Sequence, residues 1–196
     1  MAEKKELLYH SVRLETDFCK GCTTCMRYCP TQAIRVQNGK AKIIREKCID
    51  CGECVRKCPY RAKKVLSDSF DALESYKHNV ALVAPAFCGQ FSKAVNIDVI
   101  LTGLKHIGFD DVFEVARGAE VITKKTKEIL ASQNHDGPLI SSACPAVVRL
   151  IAVRFPSLSE NIIPLTSPME VAAQMARKEA IEKTGLSDDE IGIFFI

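Results

Sequence analysis

Two runs of cysteines constrain this chain more than anything else in it. Cys19, Cys22, Cys25 and Cys29 precede Pro30, and Cys48, Cys51, Cys54 and Cys58 precede Pro59, so the pattern C-x2-C-x2-C-x3-C-P occurs twice. Thiolates two residues apart converge on one metal centre, and three in register wrap three corners of an iron-sulfur cube. In the bacterial two-cluster pattern the fourth cysteine of each run ligates the other run's cluster. The spacing therefore predicts two 4Fe-4S clusters. Cluster one falls on Cys19, Cys22, Cys25 and Cys58, and cluster two on Cys48, Cys51, Cys54 and Cys29. Zinc ribbons also use CxxC pairs, but zinc takes four ligands per ion and has no use for a third in-register cysteine and a Cys-Pro, all repeated. Disulfides belong to exported chains. The start MAEKKELLYHSVRLE is charged and lacks the apolar core of a signal peptide.

Composition narrows the class further. Of 196 residues, 47% are apolar and 26% charged, which is ordinary for a globular protein and excludes a disordered or rod-like chain. No run of about 18 apolar residues is present, so no membrane span is expected, and cytoplasmic localisation is the default. A net charge of +3 argues against a dedicated nucleic-acid binder. That charge is uneven: residues 1–78 carry 16 − 10 = +6 and residues 79–196 carry 11 − 14 = −3. The basic part is the cysteine part, which suggests an acidic redox partner protein or electron carrier.

The predicted organisation is a two-cluster ferredoxin domain over 1–78 and a second domain over 79–196. In the first, Val12 to Leu14, Ala33 to Val36, Ala41 to Ile44 and Ala62 to Val65 read as short strands, with a hairpin turn at Asn38-Gly39. Glycine and small residues in the runs should let backbone N–H groups approach the sulfurs. In the second, strands and helices alternate. Val80 to Ala84, Asp111 to Val115, Pro138 to Ser142 and Ile191 to Ile196 read as strands. Ser92 to His106, Ala119 to Ser132, Pro145 to Arg154 and Met169 to Lys183 read as helices, the last capped by Gly185. Such alternation predicts a parallel sheet covered by helices. The fold class is thus an α+β dicluster ferredoxin-like domain followed by an α/β parallel-sheet lobe. No glycine-rich phosphate loop follows any strand.

Two cysteines stand apart from the runs. Cys144 sits at a strand-to-helix junction, where Pro145 suits the first helical position and the helix N-terminus stabilises a thiolate. By placement alone such a cysteine is more often a buried structural one. Cys88, in Pro85-Ala86-Phe87-Cys88-Gly89, has less to mark it, and its role stays open. His10, His78, His106 and His135 show no ligand spacing and are assigned no function.

A two-cluster unit followed in order by VALVAPAF, ARGAEVITKKTKEIL, ISSACPAVVRLI, PLTSPMEVAAQ and IGIFFI resembles the iron-only (FeFe) hydrogenases and their sensory relatives. The resemblance covers nearly the whole chain and implies that the second domain is a hydrogenase-type lobe. In that family the cysteine before the proline of a TSCCP motif ligates the cubane of the H-cluster, a 4Fe-4S cube bridged to a diiron site. The resemblance places that role on Cys144. It places Ala84 and Pro85, and Ser167 and Pro168, in the lining of the diiron cavity. The proton-relaying cysteine of catalytic members is replaced here by Ala143, and the acidic relay motif aligns with Ala116-Arg117-Gly118-Ala119-Glu120. No catalytic residue is therefore assigned, and a sensory or low-activity branch is expected.

The family's other three H-cluster cysteines lie in PCxxK and ECxxC motifs, and the strand at Ile191 to Ile196 calls for a turn beyond it. The 196 residues are thus expected to be the front part of a longer protein, holding an H-cluster only together with that missing part. On that basis the complete protein is a hydrogenase-like oxidoreductase or hydrogen sensor, and the chain alone is not an enzyme. The alternative is a stand-alone two-cluster electron carrier whose C-terminal lobe docks a partner.

Overall fold

The computed structural model describes residues 10–132 and 137–196, so His135 lies outside the described residues. The chain divides into two compact units. One runs to Ser67 and takes in Cys144–Glu160; the other comprises Asp68–Ala143 and Asn161–Ile196.

The first unit is built from two halves related by a shift of 48 − 19 = 29 residues. Strand β1 (Val12–Leu14) and the one-turn helix α1 (Thr24–Arg27) precede β2 (Ile34–Gln37), and β3 (Lys40–Ile43) and the one-turn helix α2 (Glu53–Arg56) precede β4 (Lys63–Val65). β1 pairs antiparallel with β4, and β2 with β3. The β2–β3 turn is Asn38-Gly39, both at positive φ (50° and 71°), the primed geometry that suits the twist of a tight hairpin. Cys19, Cys25, Ile34, Ala41 and Ala62 form the core, with Leu14, Met26 and Ile43 packed on it.

In the second unit β5 (His78–Val83) is buried along its whole length. Pro85, at the first position of the one-turn helix α3 (Pro85–Cys88), turns the chain at the strand's end. Helix α4 (Ile97–His106) starts later than its apolar spacing suggests, because the Asn96 side chain accepts the Asp98 N–H and caps it there. β6 (Asp111–Glu114) leads with no loop into α5 (Val115–Ser132).

The strand expected at Pro138 to Ser142 does not form. Only one bridge, Ile140 to Ile162, is made, because the backbone of this stretch pairs at a single point with another irregular segment. Helix α6 (Pro145–Arg154) belongs to the first unit. Helix α7 (Pro168–Thr184) is closed by Gly185 in the left-handed conformation (φ 72°), and β7 (Ile191–Phe195) follows.

The sheet has three parallel strands in the order β6-β5-β7. Alternation along β5 sends Val80 and Leu82 to a core with Phe113, Ile191 and the alanines 172, 176 and 180 of α7. It sends Ala81 and Val83 to the opposite core with Leu104 of α4 and Phe109. Ala172, Ala176 and Ala180 are four residues apart, so α7 presents one small-residue stripe on which the sheet can sit closely. No helix among the described residues is long and apolar enough to cross a membrane.

Candidate metal centres

The repeat places its special backbone conformations in matched pairs. Gly21 and Asp50 (φ 66° and 51°), Thr23 and Gly52 (63° and 72°), and Gln32 and Arg61 (54° and 49°) all adopt the left-handed region. The first two pairs fold the chain around the CxxCxxC stretches and start the one-turn helices that carry Cys25 and Cys54. The third aims an amide back at the last cysteine of each run: Ala33 N–H donates to Cys29 Sγ and Ala62 N–H to Cys58 Sγ, each at 3.2 Å. Ala41 N–H donates to Cys19 Sγ at 3.4 Å. Gly21 has no room for a side chain, because a Cβ would stand 2.5 Å from the Gly39 carbonyl oxygen.

The eight thiols fall into two groups, each around a cavity. A cavity of about 20 Å³ is lined by Cys48, Cys51, Cys54 and Cys29, with Val12, Ile34, Ile43 and Ile49 among its apolar walls. A second cavity of about 20 Å³ is lined by Cys19, Cys22, Cys25 and Cys58, with Leu14, Val36 and Ala41. Each holds three cysteines of one run and the last cysteine of the other. All eight are free thiols.

Burial pushes the Cys54 thiol up to about 11, and also raises Cys25 and Cys48. For Cys19 burial acts the same way but is outweighed by backbone N–H groups of Ala41 and Gly21, and the thiol is lowered. Thr24, through its side chain and then its backbone, lowers Cys22. Buried thiols that resist ionisation become thiolates when a cation takes the proton's place, which ties metal binding to folding here.

One buried cation tests the fit independently. Lys63 is 2% exposed, lines the Cys19–Cys58 cavity, and its Nζ has no hydrogen-bond partner among the described residues. A buried ammonium without counter-charge is costly. Two clusters held by four thiolates each are anionic and would supply that counter-charge, so the residues present fit the cofactors that their spacing implies.

A second polar group flanks the other cavity. Asp50 lies between Cys48 and Cys51, and its Oδ2 is 2.6 Å from His10 Nδ1 and accepts from Arg149 Nη1 at 2.7 Å. Val12 N–H donates to Oδ1 at 3.3 Å. Burial alone would raise this carboxyl, but His10, Val12 and Arg149 together hold it below the usual range. Arg154, further along α6, donates to the carbonyl oxygen of Pro30 at 2.9 Å. Helix α6 is thus fastened to both sides of the Cys29/Cys48/Cys51/Cys54 group, and Cys144, exposed, is its N-cap residue.

The remaining sequence-derived positions lie in the second unit. Ala84 and Pro85 follow the carboxyl end of β5. Ser167 and Pro168 open α7, where Ser167 and Glu170 form a reciprocal capping box. The Ser142 hydroxyl donates to the Leu165 carbonyl at 2.6 Å, which ties two irregular segments of this unit together. Arg117 donates through both terminal nitrogens to Glu179 and lies over the Phe113 ring, while Glu120 is exposed on α5. Cys88 packs at the edge of the core under α4.

Sequence reasoning missed Lys63, Gly118 and the His10–Asp50–Arg149 group. Lys63 had a readable signal: 29 residues earlier the same place in the repeat is Ile34, which is buried as expected. Asp50 likewise stands where the first run has Gly21. Arg149 carried no signal, because its partner is 99 residues away.

Residues 11–59 match the 4Fe-4S dicluster domain, and residues 77–196 match the family described as iron only hydrogenase large subunit, C-terminal domain. Iron hydrogenase 1 of Clostridium pasteurianum is 30% identical over 105 residues, which covers 48% of this chain and 18% of that protein. The match therefore spans less than a fifth of that relative's length. Two cysteine-lined cavities and a parallel-sheet lobe in one chain agree with both matches: the chain belongs to the iron-only hydrogenase large-subunit family, and its N-terminal unit is a 4Fe-4S dicluster, electron-transferring ferredoxin domain.

Proposed function

We propose that this chain, within a hydrogenase-like protein, passes electrons between a redox partner and a hydrogen-reacting or hydrogen-sensing site behind Cys144. The division is a ferredoxin domain over 1–78 and a hydrogenase-type lobe over 79–196, in keeping with the two family matches. In the first, Cys19, Cys22, Cys25 and Cys58 hold cluster one and Cys48, Cys51, Cys54 and Cys29 hold cluster two. When bound, the clusters supply one-electron chemistry. The chain's own contribution is to ligate them, to aim Ala33, Ala41 and Ala62 amides at their sulfurs, and to keep water from Cys25 and Cys54.

By the family resemblance, Cys144 would contribute one cubane thiolate, and Ala84, Pro85, Ser167 and Pro168 would belong to the lining of the diiron site. The observation that carries the proposal is α6, which begins at Cys144 and is fastened through Arg149 and Arg154 beside the cluster-two cysteines. Ala143 in place of a proton-relaying cysteine, and Arg117 bound to Glu179 where the family has an acidic relay, support the sensory or low-activity branch. The net +6 of residues 1–78 supports an acidic redox partner or carrier.

The test is hydrogen-dependent reduction of a viologen dye by the protein expressed from its full reading frame and matured with the diiron cofactor, beside its Cys144→Ala variant. Slow hydrogen-linked reduction lost in the variant is expected. No hydrogen-linked signal in the cofactor-loaded protein would leave a two-cluster carrier with a partner-docking lobe.

A further inference from the structure

The two halves of the ferredoxin unit superpose in sequence almost cysteine for cysteine, yet one buried position breaks the symmetry in charge. In the first half the residue after Cys29-Pro30-Thr31-Gln32-Ala33 is Ile34, and in the second the residue after Cys58-Pro59-Tyr60-Arg61-Ala62 is Lys63. Both residues are 2% exposed. Ile34 lines the cluster-two cavity and Lys63 the cluster-one cavity, so the same wall is apolar on one side and cationic on the other.

Of the other charged differences between the two walls, Lys20 in place of Ile49 is exposed and Glu53 in place of Thr24 pairs with Arg56. Asp50 replaces Gly21 beside cluster two, but its carboxylate is met by His10 and Arg149. Lys63 has no such partner among the described residues, and its charge stands in the wall of the cluster-one cavity.

We infer that Lys63 sets the potentials of the two clusters apart, its ammonium stabilising the reduced form of cluster one more than that of cluster two, so that cluster one accepts the first electron. Reduction adds one negative charge to a cluster, and a fixed cation in a low-dielectric wall favours the more negative form. The effect falls with distance, so the cavity that Lys63 lines feels it most. This makes Lys63 a positioning residue for charge. It rests on the proposed assignment of Cys19, Cys22, Cys25 and Cys58 to one cluster.

The test is a redox titration of the anaerobically reconstituted chain followed by electron paramagnetic resonance. Cysteine β-proton shifts in paramagnetic NMR identify which cluster is reduced. In the wild type, cluster one is reduced first. In Lys63→Met, which keeps a long unbranched side chain and removes the charge, the cluster-one midpoint moves to lower potential and by more than that of cluster two. Lys64→Met, which removes the charge of the exposed neighbouring lysine, moves the cluster-one midpoint by less than Lys63→Met does.

Unchanged midpoints in a Lys63→Met protein holding about eight irons overturn the inference and leave the cluster assignment standing. If that variant loads poorly, the wild type still decides, since reduction of cluster two first overturns the inference. About four irons in the wild type overturns the assignment and the inference with it.

Discussion

Gly118 is a point of close approach between α5 and α7. A Cβ built on it would collide with the Pro168 carbonyl oxygen and stand 2.9 Å from the Ala172 amide. Both contacts are with backbone, so neither can swing away. Gly118→Ala should therefore destabilise the protein by about 1–3 kcal/mol, read as a lower denaturant midpoint with unchanged slope. A midpoint equal to that of the parent would mean that the helices separate at little cost. In sequence this glycine reads only as part of the segment aligned with an acidic relay, because closeness to Pro168, far along the chain, leaves no local trace. The cysteines were legible for the opposite reason, since ligand geometry writes itself into short, fixed spacings.

Among the elements, the legible ones had local causes. Asn38-Gly39 specifies its own turn, Pro85 and Gly185 end what precedes them, and the apolar run of β5 requires burial on both faces. The expected strand at Pro138 to Ser142 failed because alternation says nothing about whether a partner edge is there to pair with. Helix α6 was predicted with its observed bounds, Pro145 to Arg154, but not its place beside the cysteine runs.

Its seating makes a prediction at this scale. Arg149 is 30% and Asp50 16% exposed at the side chain, so their bond is partly screened, and Arg149→Ala should cost about 1 kcal/mol. The loss should appear as faster amide hydrogen exchange confined to α6 and the His10–Val12 strand start. Exchange unchanged in α6 would show that Arg154 and apolar packing hold the helix without it. On α7, Ser167→Ala removes the acceptor for the Glu170 N–H and should cost about 1 kcal/mol in thermal or denaturant unfolding.

Across the molecule, acid stability follows from lowered carboxylates, Asp50 in the first unit and two more in the second. Glu190 accepts hydrogen bonds from Lys77 and from the Ser187 backbone and hydroxyl, and its carboxyl falls from 4.5 to about 2. Burial alone would raise Asp111, but hydrogen bonds from Lys183 and Lys105 outweigh it and lower the carboxyl from 3.8. A carboxylate lowered on folding adds stability above its unfolded value and loses it as pH falls toward its folded one. Stability should therefore decline from about pH 4.5 toward about 2, less steeply in Glu190→Gln, and the difference should shrink in high salt because the Lys77–Glu190 pair is open to solvent. Equal acid slopes for parent and variant would contradict this.

In the proposed assignment the two runs exchange their fourth cysteines, which would join the halves of the first unit through metal. Anaerobic reconstitution with iron and sulfide, followed by analysis of both in the wild type and in Cys58→Ser, measures it directly. The prediction is about eight irons in the wild type, with the variant's defect confined to the cluster held by Cys19, Cys22 and Cys25. About four irons in the wild type, or a Cys58→Ser defect in the cluster of Cys48, Cys51 and Cys54, would contradict it.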